Sequence, residues 1–522
     1  MASSKQQKGE KNKLFIGTFI HSKQLDELEF FHDTAVCVDK SGKIIAVESS
    51  CDQKRAEETL YPKLGWSAAD VDVTVGRDGE FFFPGFIDTH IHAPQYPNAG
   101  LFGKSTLLDW LNTYTFPMEA SLSDLARARR IYSRCVRRTL AHGTTTAVYF
   151  ATIHVAATNL LADLCLGAGQ RAFVGRVCMD HSLSGPPDAN SYLDESAAAS
   201  EAATRATIAH VRAIDPSFAL VSPILTPRFA PACSREALRR LGALRAETGL
   251  PVQTHISENV GEVALVRACF PEAAHYADVY DRAGLLGART VLAHAVYLSP
   301  AELDLVASRG AGVAHCPCSN SALTSGEAPV RVLLDRGISV GLGTDVSGGY
   351  SASVLEAARL AALVSRHVAM PRSRPRRGRI QQGEEKGEDG NEDEGEGEGG
   401  EEESEEDRER REKAKLSVEE VLYLATRGGA KVVGLADQIG AFRVGMDWDA
   451  QLVGLSTVGE EDVEETQGIT KEREEEEEDR GNVDIFGWES WEERVAKWVY
   501  NGDDRNTRMV WVKGRLVHQR RK

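Results

Sequence analysis

His90 and His92 stand one residue apart at the end of an apolar run, Pro84-Gly85-Phe86-Ile87-Asp88-Thr89-His90-Ile91-His92. Alternate side chains of a strand share a face. Both imidazoles can therefore point into one cavity and hold one metal ion, with Ile91 turned the other way. A His-x-His pair alone also occurs at solvent-facing strand ends, but here it has company. His255, His294 and Asp345 each follow a later apolar run, and Glu258 comes three residues after His255. Several metal-capable residues converging on one rim point to a metal site. His90, His92, His255 and Asp345 form a nitrogen-rich donor set with one carboxylate, which suits zinc better than magnesium or calcium and leaves iron or manganese open. An ion there lowers the pKa of a bound water toward neutrality and supplies a nucleophile without strong base. Glu258 is near enough to move a proton from water to a substrate nitrogen. Such a site adds water to an electrophilic carbon.

The elements that must position these groups are apolar runs at 82–87, 144–150, 171–177, 219–224, 252–255, 290–294, 311–315 and 339–343, separated by stretches of helical period. Continuous apolar runs of this length are expected of parallel strands buried on both faces. Eight βα units predict an α/β fold, a (β/α)8 TIM-like barrel, with its chemistry at the C-terminal strand ends. Ser234 to Gly249 shows the pattern of a connecting helix: Ser234 to cap it, Leu238, Leu241 and Leu244 on one face, Gly249 to end it. Further strands are expected at 13–19, 34–39, 43–47, 445–455 and 508–517. The two chain ends are read as one small β-sandwich domain beside the barrel. The expected division is 1–82 and 435–522 for the small domain and 83–434 for the barrel.

Of the 522 residues 42% are hydrophobic and 27% charged, the composition of an ordinary globular protein. The net charge of -17 is concentrated in two stretches: 371–413 has 17 acidic and 10 basic residues, and 460–480 has 12 and 3. Everything else sums to about -1, so no global field argues for nucleic acid or a membrane as partner. Both stretches lack the apolar residues that offset chain ordering and are expected to be disordered insertions, solvated or binding a partner. Nine irregularly spaced cysteines suit a reducing compartment, and Cys316-Pro317-Cys318 reads as incidental. With no apolar run long enough to span a bilayer, a soluble cytoplasmic protein is expected.

The motif around His90 and His92, continuing Ala93-Pro94-Gln95-Tyr96, resembles the amidohydrolase superfamily and, within it, the guanine-deaminating branch. So do Thr226-Pro227-Arg228-Phe229, His255-Ile256-Ser257-Glu258-Asn259 and Gly341-Leu342-Gly343-Thr344-Asp345-Val346, and the likeness extends to Gly502-Asp503-Asp504-Arg505-Asn506. The resemblance implies one zinc per subunit on His90, His92, His255 and Asp345. It implies catalytic roles for Glu258, Asp345 and His294, and a guanine pocket of His92, Gln95, Arg228, Phe229, His255, Glu258 and Asp345. It further implies a homodimer acting in purine catabolism. Arg228 is a fork of donors suited to the O6 acceptor of guanine, although it could pair with a structural carboxylate, and Phe229 could be core. Strand 4 ends without the Lys that binuclear members use to bridge two metals, which favours one ion. Where the family has His-Cys-Pro-Asn-Ser-Asn, this chain has Cys318 in place of the first Asn. The rival readings are a zinc aminohydrolase of another heteroaromatic ring, an oxidised purine or a triazine, and a non-enzymatic scaffold with a decayed site.

Overall fold

The computed structural model describes residues 11–183, 192–370, 404–458 and 481–520, in a mixed α/β architecture. Both chain ends meet in one eight-stranded sheet. Asn12–Gln24 runs antiparallel to Glu27–Val38 and parallel to Val71–Val75. Glu80–Pro84 bridges this half to the C-terminal strands, pairing antiparallel with Ala450–Gly454, beyond which lie Thr507–Val512 and Arg515–Gln519. The junction is cemented by aromatic rings from both ends: Trp448 stacks on Phe15 at 4.1 Å and on Phe442 at 5.1 Å, and Phe19 stacks on Phe82 at 4.7 Å. Large rings buried in offset or edge contact contribute both area and geometry.

Between the ends lie two four-stranded parallel sheets. In spatial order the first holds Phe86–His92, Thr144–Phe150, Arg171–Gly175 and Val221–Pro223, and the second Val252–Ile256, Thr290–His294, Gly312–His315 and Val340–Leu342. The sheets touch at both edges. Leu225 bridges Val252 on one side. On the other, Asp345 N donates to His90 O at 2.9 Å and His92 N to Val346 O at 3.0 Å. Helices cover the outer faces, and Arg235–Thr248 forms as its sequence pattern requires: Ser234 accepts from Ala237 N, Leu238, Leu241 and Leu244 are buried, and Gly249 closes it at φ 65°.

Three expectations need correction. The run 82–87 is not one strand. Glu80–Pro84 belongs to the sheet of the chain ends and Phe86–His92 to the first parallel sheet, with Gly85 at the crossing, where a Cβ would lie 2.1 Å from Thr145 Cγ2. The two histidines are consequently inside a strand rather than after one. Residues 404–413, assigned to a disordered insertion, are helical within Glu405–Ala414. Ser404 caps it, Glu405, Glu406 and Asp407 fill its first turn, and Arg411 and Lys413 its last, so charges complement the helix dipole where no apolar face exists. The strand Val71–Val75 and the helix Trp491–Asn501 were not anticipated. The rest of the first charged stretch, 371–403, and all of 460–480 lie outside the described residues. Among the described residues no helix is long and apolar enough to cross a membrane.

Candidate active site

Period-two alternation does for His90 and His92 what the sequence suggests: both are buried on one side of their strand while Ile91 packs into the core on the other. His92 Nε2 lies 3.2 Å from His90 Nε2 and 3.2 Å from His255 Nε2. Asp345 Oδ1 lies 3.1 Å from His90 Nε2 and 3.3 Å from His92 Nε2. These spacings match a zinc ion, whose bonds of about 2.0–2.1 Å to nitrogen put tetrahedral donors about 3.4 Å apart. Burial first, and the neighbouring imidazoles second, push His92 and His255 well below the ordinary histidine range, which favours the neutral ring that a metal would need. Burial works to raise the Asp345 carboxyl, but the interaction with His90 first, and with His294 after it, outweighs that and holds the carboxyl far below the usual range. His255 Nδ1 must donate to Arg228 O at 2.6 Å, which leaves its Nε2 lone pair bare toward the cluster. Four ligand atoms of His90, His92, His255 and Asp345 lie within 4.8 Å of one another, a donor set that fits a cation. A second group, His90, His294 and Cys316, shares His90. Burial holds the Cys316 thiol well above its ordinary range, making it the poorer ligand set.

Glu258 and His294 complete the polar centre. His294 Nδ1 pairs with Asn320 Oδ1 at 2.9 Å, which turns Nε2 toward Glu258 Oε2 at 3.5 Å and Asp345 Oδ2 at 3.7 Å. Burial, with the Asp345 charge adding, raises the Glu258 carboxyl well above its ordinary range, so it can hold a proton to give. Ser325 Oγ donates to Glu258 Oε1 at 3.3 Å. The backbone is strained where these groups sit: Ser257, His294 and Asp345 have φ of 50°, 73° and 47°, a region that non-glycine residues avoid unless their surroundings impose it. Glu262, not anticipated, helps impose it by accepting from Glu258 N at 2.7 Å while Tyr276 donates to its other oxygen at 2.7 Å.

Beside this centre a cavity opens, lined by His92, Gln95, Arg228, Phe229, His255, Glu258, His294 and Asp345. His90 lies beneath it. Leu107, Trp110, Leu111 and Leu323 supply apolar walls that no spacing in the sequence announced. Arg228 does pair with a carboxylate: its Nη1 and Nη2 donate to both oxygens of the buried Glu119 at 2.7 and 3.1 Å. Burial alone would lower the guanidinium, and Glu119 more than offsets it, so Arg228 remains charged while still facing the cavity. Phe229 likewise belongs to the buried apolar cluster that holds Leu107, Trp110 and Phe150, and it also lines the cavity. Cys318 is buried in the helix Pro317–Ala322, and the loop contact to His294 is made by Asn320, so the departure at 318 leaves that contact in place.

The family model described as "Amidohydrolase family" matches residues 81–378 and 402–517. A probable guanine deaminase of Schizosaccharomyces pombe is 43% identical over 504 residues, covering 97% of this chain and 83% of the relative. The guanine deaminase of Homo sapiens is 37% identical over 505 residues, covering 97% and 96%. Among solved structures, guanine deaminase from C. acetobutylicum with guanine bound in its active site superposes with a TM-score of 0.75 at 30% identity, covering 97% of this chain and 99% of that one.

Proposed function

This chain belongs to the amidohydrolase family, and we propose that it hydrolyses guanine to xanthine and ammonia in purine catabolism, using one zinc ion per subunit. The observation that carries the reading is a buried donor set of three histidines and an aspartate opening onto a cavity that Gln95, Arg228, Phe229 and Glu258 share. Zinc held by His90, His92, His255 and Asp345 would supply the Lewis acidity that makes water nucleophilic near neutral pH. Arg228 presents donors to O6 of guanine and Phe229 an apolar face to the ring. Glu258 gives its proton to N3 as C2 becomes tetrahedral and is reprotonated by the first proton of the attacking water. Asp345 takes the second proton of the attacking water and passes it toward the departing amine, and His294 stabilises charge on the attacking oxygen. Ammonia leaves and the C2 carbonyl forms.

The same reading takes a closed (β/α)8 barrel, supported by the contacts at both sheet edges, and moves its start from 83 to Gly85, because Glu80–Pro84 pairs in the sheet of the chain ends; the residues before Gly85, with 435–522, are taken as a small β-sandwich domain. It takes the protein as a cytoplasmic homodimer, in line with the resemblance. The test is incubation of metal-quantified protein with guanine, adenine, cytosine and 8-oxoguanine, following products by chromatography. Xanthine from guanine alone, abolished by chelation and restored by zinc, is expected. No product despite bound metal would redirect the reading to another heteroaromatic ring, and absence of bound metal would favour the scaffold.

A further inference from the structure

Glu119 takes no part in the chemistry above, yet it is the most connected polar group behind the cavity. It is fully buried and does not line the cavity itself. Its carboxylate accepts from Arg228 Nη1 at 2.7 Å and Nη2 at 3.1 Å, and from Gln95 Nε2 at 2.8 Å. Phe116, three residues earlier on the same short helix Phe116–Ala120, lies 5.0 Å from the Arg228 guanidinium on the face of its ring. Arg228 is thus clamped in plane by the carboxylate and stacked by the ring, both from one turn of chain.

We propose that Glu119 is a positioning residue that determines specificity: it sets the hydrogen-bonding polarity of the base pocket by fixing Gln95 as an acceptor and Arg228 as a donor. The inference rests on the guanine reading of this site. A side-chain amide can turn either end to a ligand. A carboxylate only accepts, so Gln95 must give its NH2 to Glu119 and turn its carbonyl the other way, where Oε1 lies 3.4 Å from Ser347 N. The two parallel bonds to Glu119 fix the Arg228 plane, and with Nη1 also donating to Met179 Sδ at 3.9 Å, the N–H groups left for a ligand are those of Nε and Nη2. An acceptor beside a donor suits a base edge that offers N–H beside C=O, as guanine does at N1 and O6. 2,6-Diaminopurine keeps the reacting C2 amine and inverts both neighbours, with a bare N1 beside an amino group. A pocket whose buried groups are left unpaired by the wrong edge rejects it strongly.

The test compares wild type, Glu119→Gln and Glu119→Asp, each metal-quantified, on guanine and on 2,6-diaminopurine, with the inhibition constant of diaminopurine replacing its rate where turnover is too slow. The Gln variant has one acceptor for two partners. Its kcat/KM for guanine should fall about 10²-fold, and its preference for guanine over diaminopurine about tenfold or more, with metal content unchanged. The Asp variant keeps the charge but is one methylene too short to hold Arg228 and Gln95 together, so it should show the same loss of preference and carries the test if the Gln variant does not fold. Equal losses on both substrates in a folded variant would overturn the inference. A wild type inactive on guanine would overturn the underlying reading instead, and that control involves no Glu119 variant.

Discussion

His21 offers a pH-dependent contact whose size follows from its surroundings. It is 1% exposed, on the strand Asn12–Gln24. Its Nδ1 accepts from Phe442 N at 2.9 Å and its Nε2 donates to Glu29 Oε2 at 3.0 Å, an arrangement only the neutral ring can make. Burial lowers its pKa from 6.5 to about 4, with Glu29 pulling the other way and Arg443 and Arg427 adding to the fall. Because the folded value lies below the unfolded one, the unfolded chain takes the proton first. The contribution to stability is fully present above pH 6.5 and is lost as pH falls toward 4. A gap of about 2.5 units is a factor of about 300, or about 3 kcal/mol. Protonated Nδ1 would face the Phe442 amide donor to donor, so that amide reports the event directly. Hydrogen exchange of Phe442, corrected for intrinsic rate, should lose up to about 300-fold of protection between pH 6.5 and 4. His21→Gln keeps an acceptor for Phe442 and a donor for Glu29 without titrating, and should flatten that dependence. An unchanged pH dependence in the variant, or none in the wild type, would refute the reasoning.

Glu258→Gln preserves the contact with Ser325 and removes only the transferable proton, so kcat should fall about 10²–10⁴-fold with zinc still bound. A variant that loses its metal, or keeps its rate, would show that Glu258 has another role. His255→Ala removes a donor and leaves Arg228 O only the longer bond, 3.4 Å, from the backbone N–H of residue 255. Metal per subunit measured by atomic emission should drop together with turnover, and full occupancy in the variant would exclude His255 from the donor set. Gly242 packs where a Cβ would meet Ala283 O at 1.7 Å, a backbone atom that cannot step aside. Gly242→Ala should lower the melting temperature, at about 1–3 kcal/mol of strain, with activity per folded molecule unchanged. An unaltered melting temperature would count against this close approach of helix and loop.

How much of this was readable in advance depended on whether a physical rule tied position to direction. The parallel strands were, because burial on both faces requires long apolar runs, and strands such as Thr144–Phe150 and Thr290–His294 begin and end where composition changes. The split at Gly85 was not: 82–87 is apolar throughout, and only the approach of Thr145 shows why the chain changes sheets there. The edge strand Val71–Val75 carries an exposed face and so lacks the continuous apolar signature. The helix Glu405–Ala414 has no buried residue at all, and its order comes from capping and charge placement that resemble a solvated run in composition.

The same distinction explains the site. His90, His92, His255 and Asp345 could be read because strand ends on one rim face a common axis, and each residue type has few other reasons to be buried there. Glu119 could not. It sits on a helix of five residues with no period to read, and its partner Arg228 is 109 residues away. Arg228 was legible as a residue facing the site, and a guanidinium buried in an apolar wall is stable only beside a carboxylate. The physical requirement for a Glu or Asp somewhere was therefore present in the sequence even though its address was not. Any buried arginine inferred to read a ligand implies a second, silent residue that keeps it charged and aimed. Here that residue also orients Gln95, so the two proposed readers share one anchor, and a change at a position that does not line the cavity should alter which base the cavity accepts.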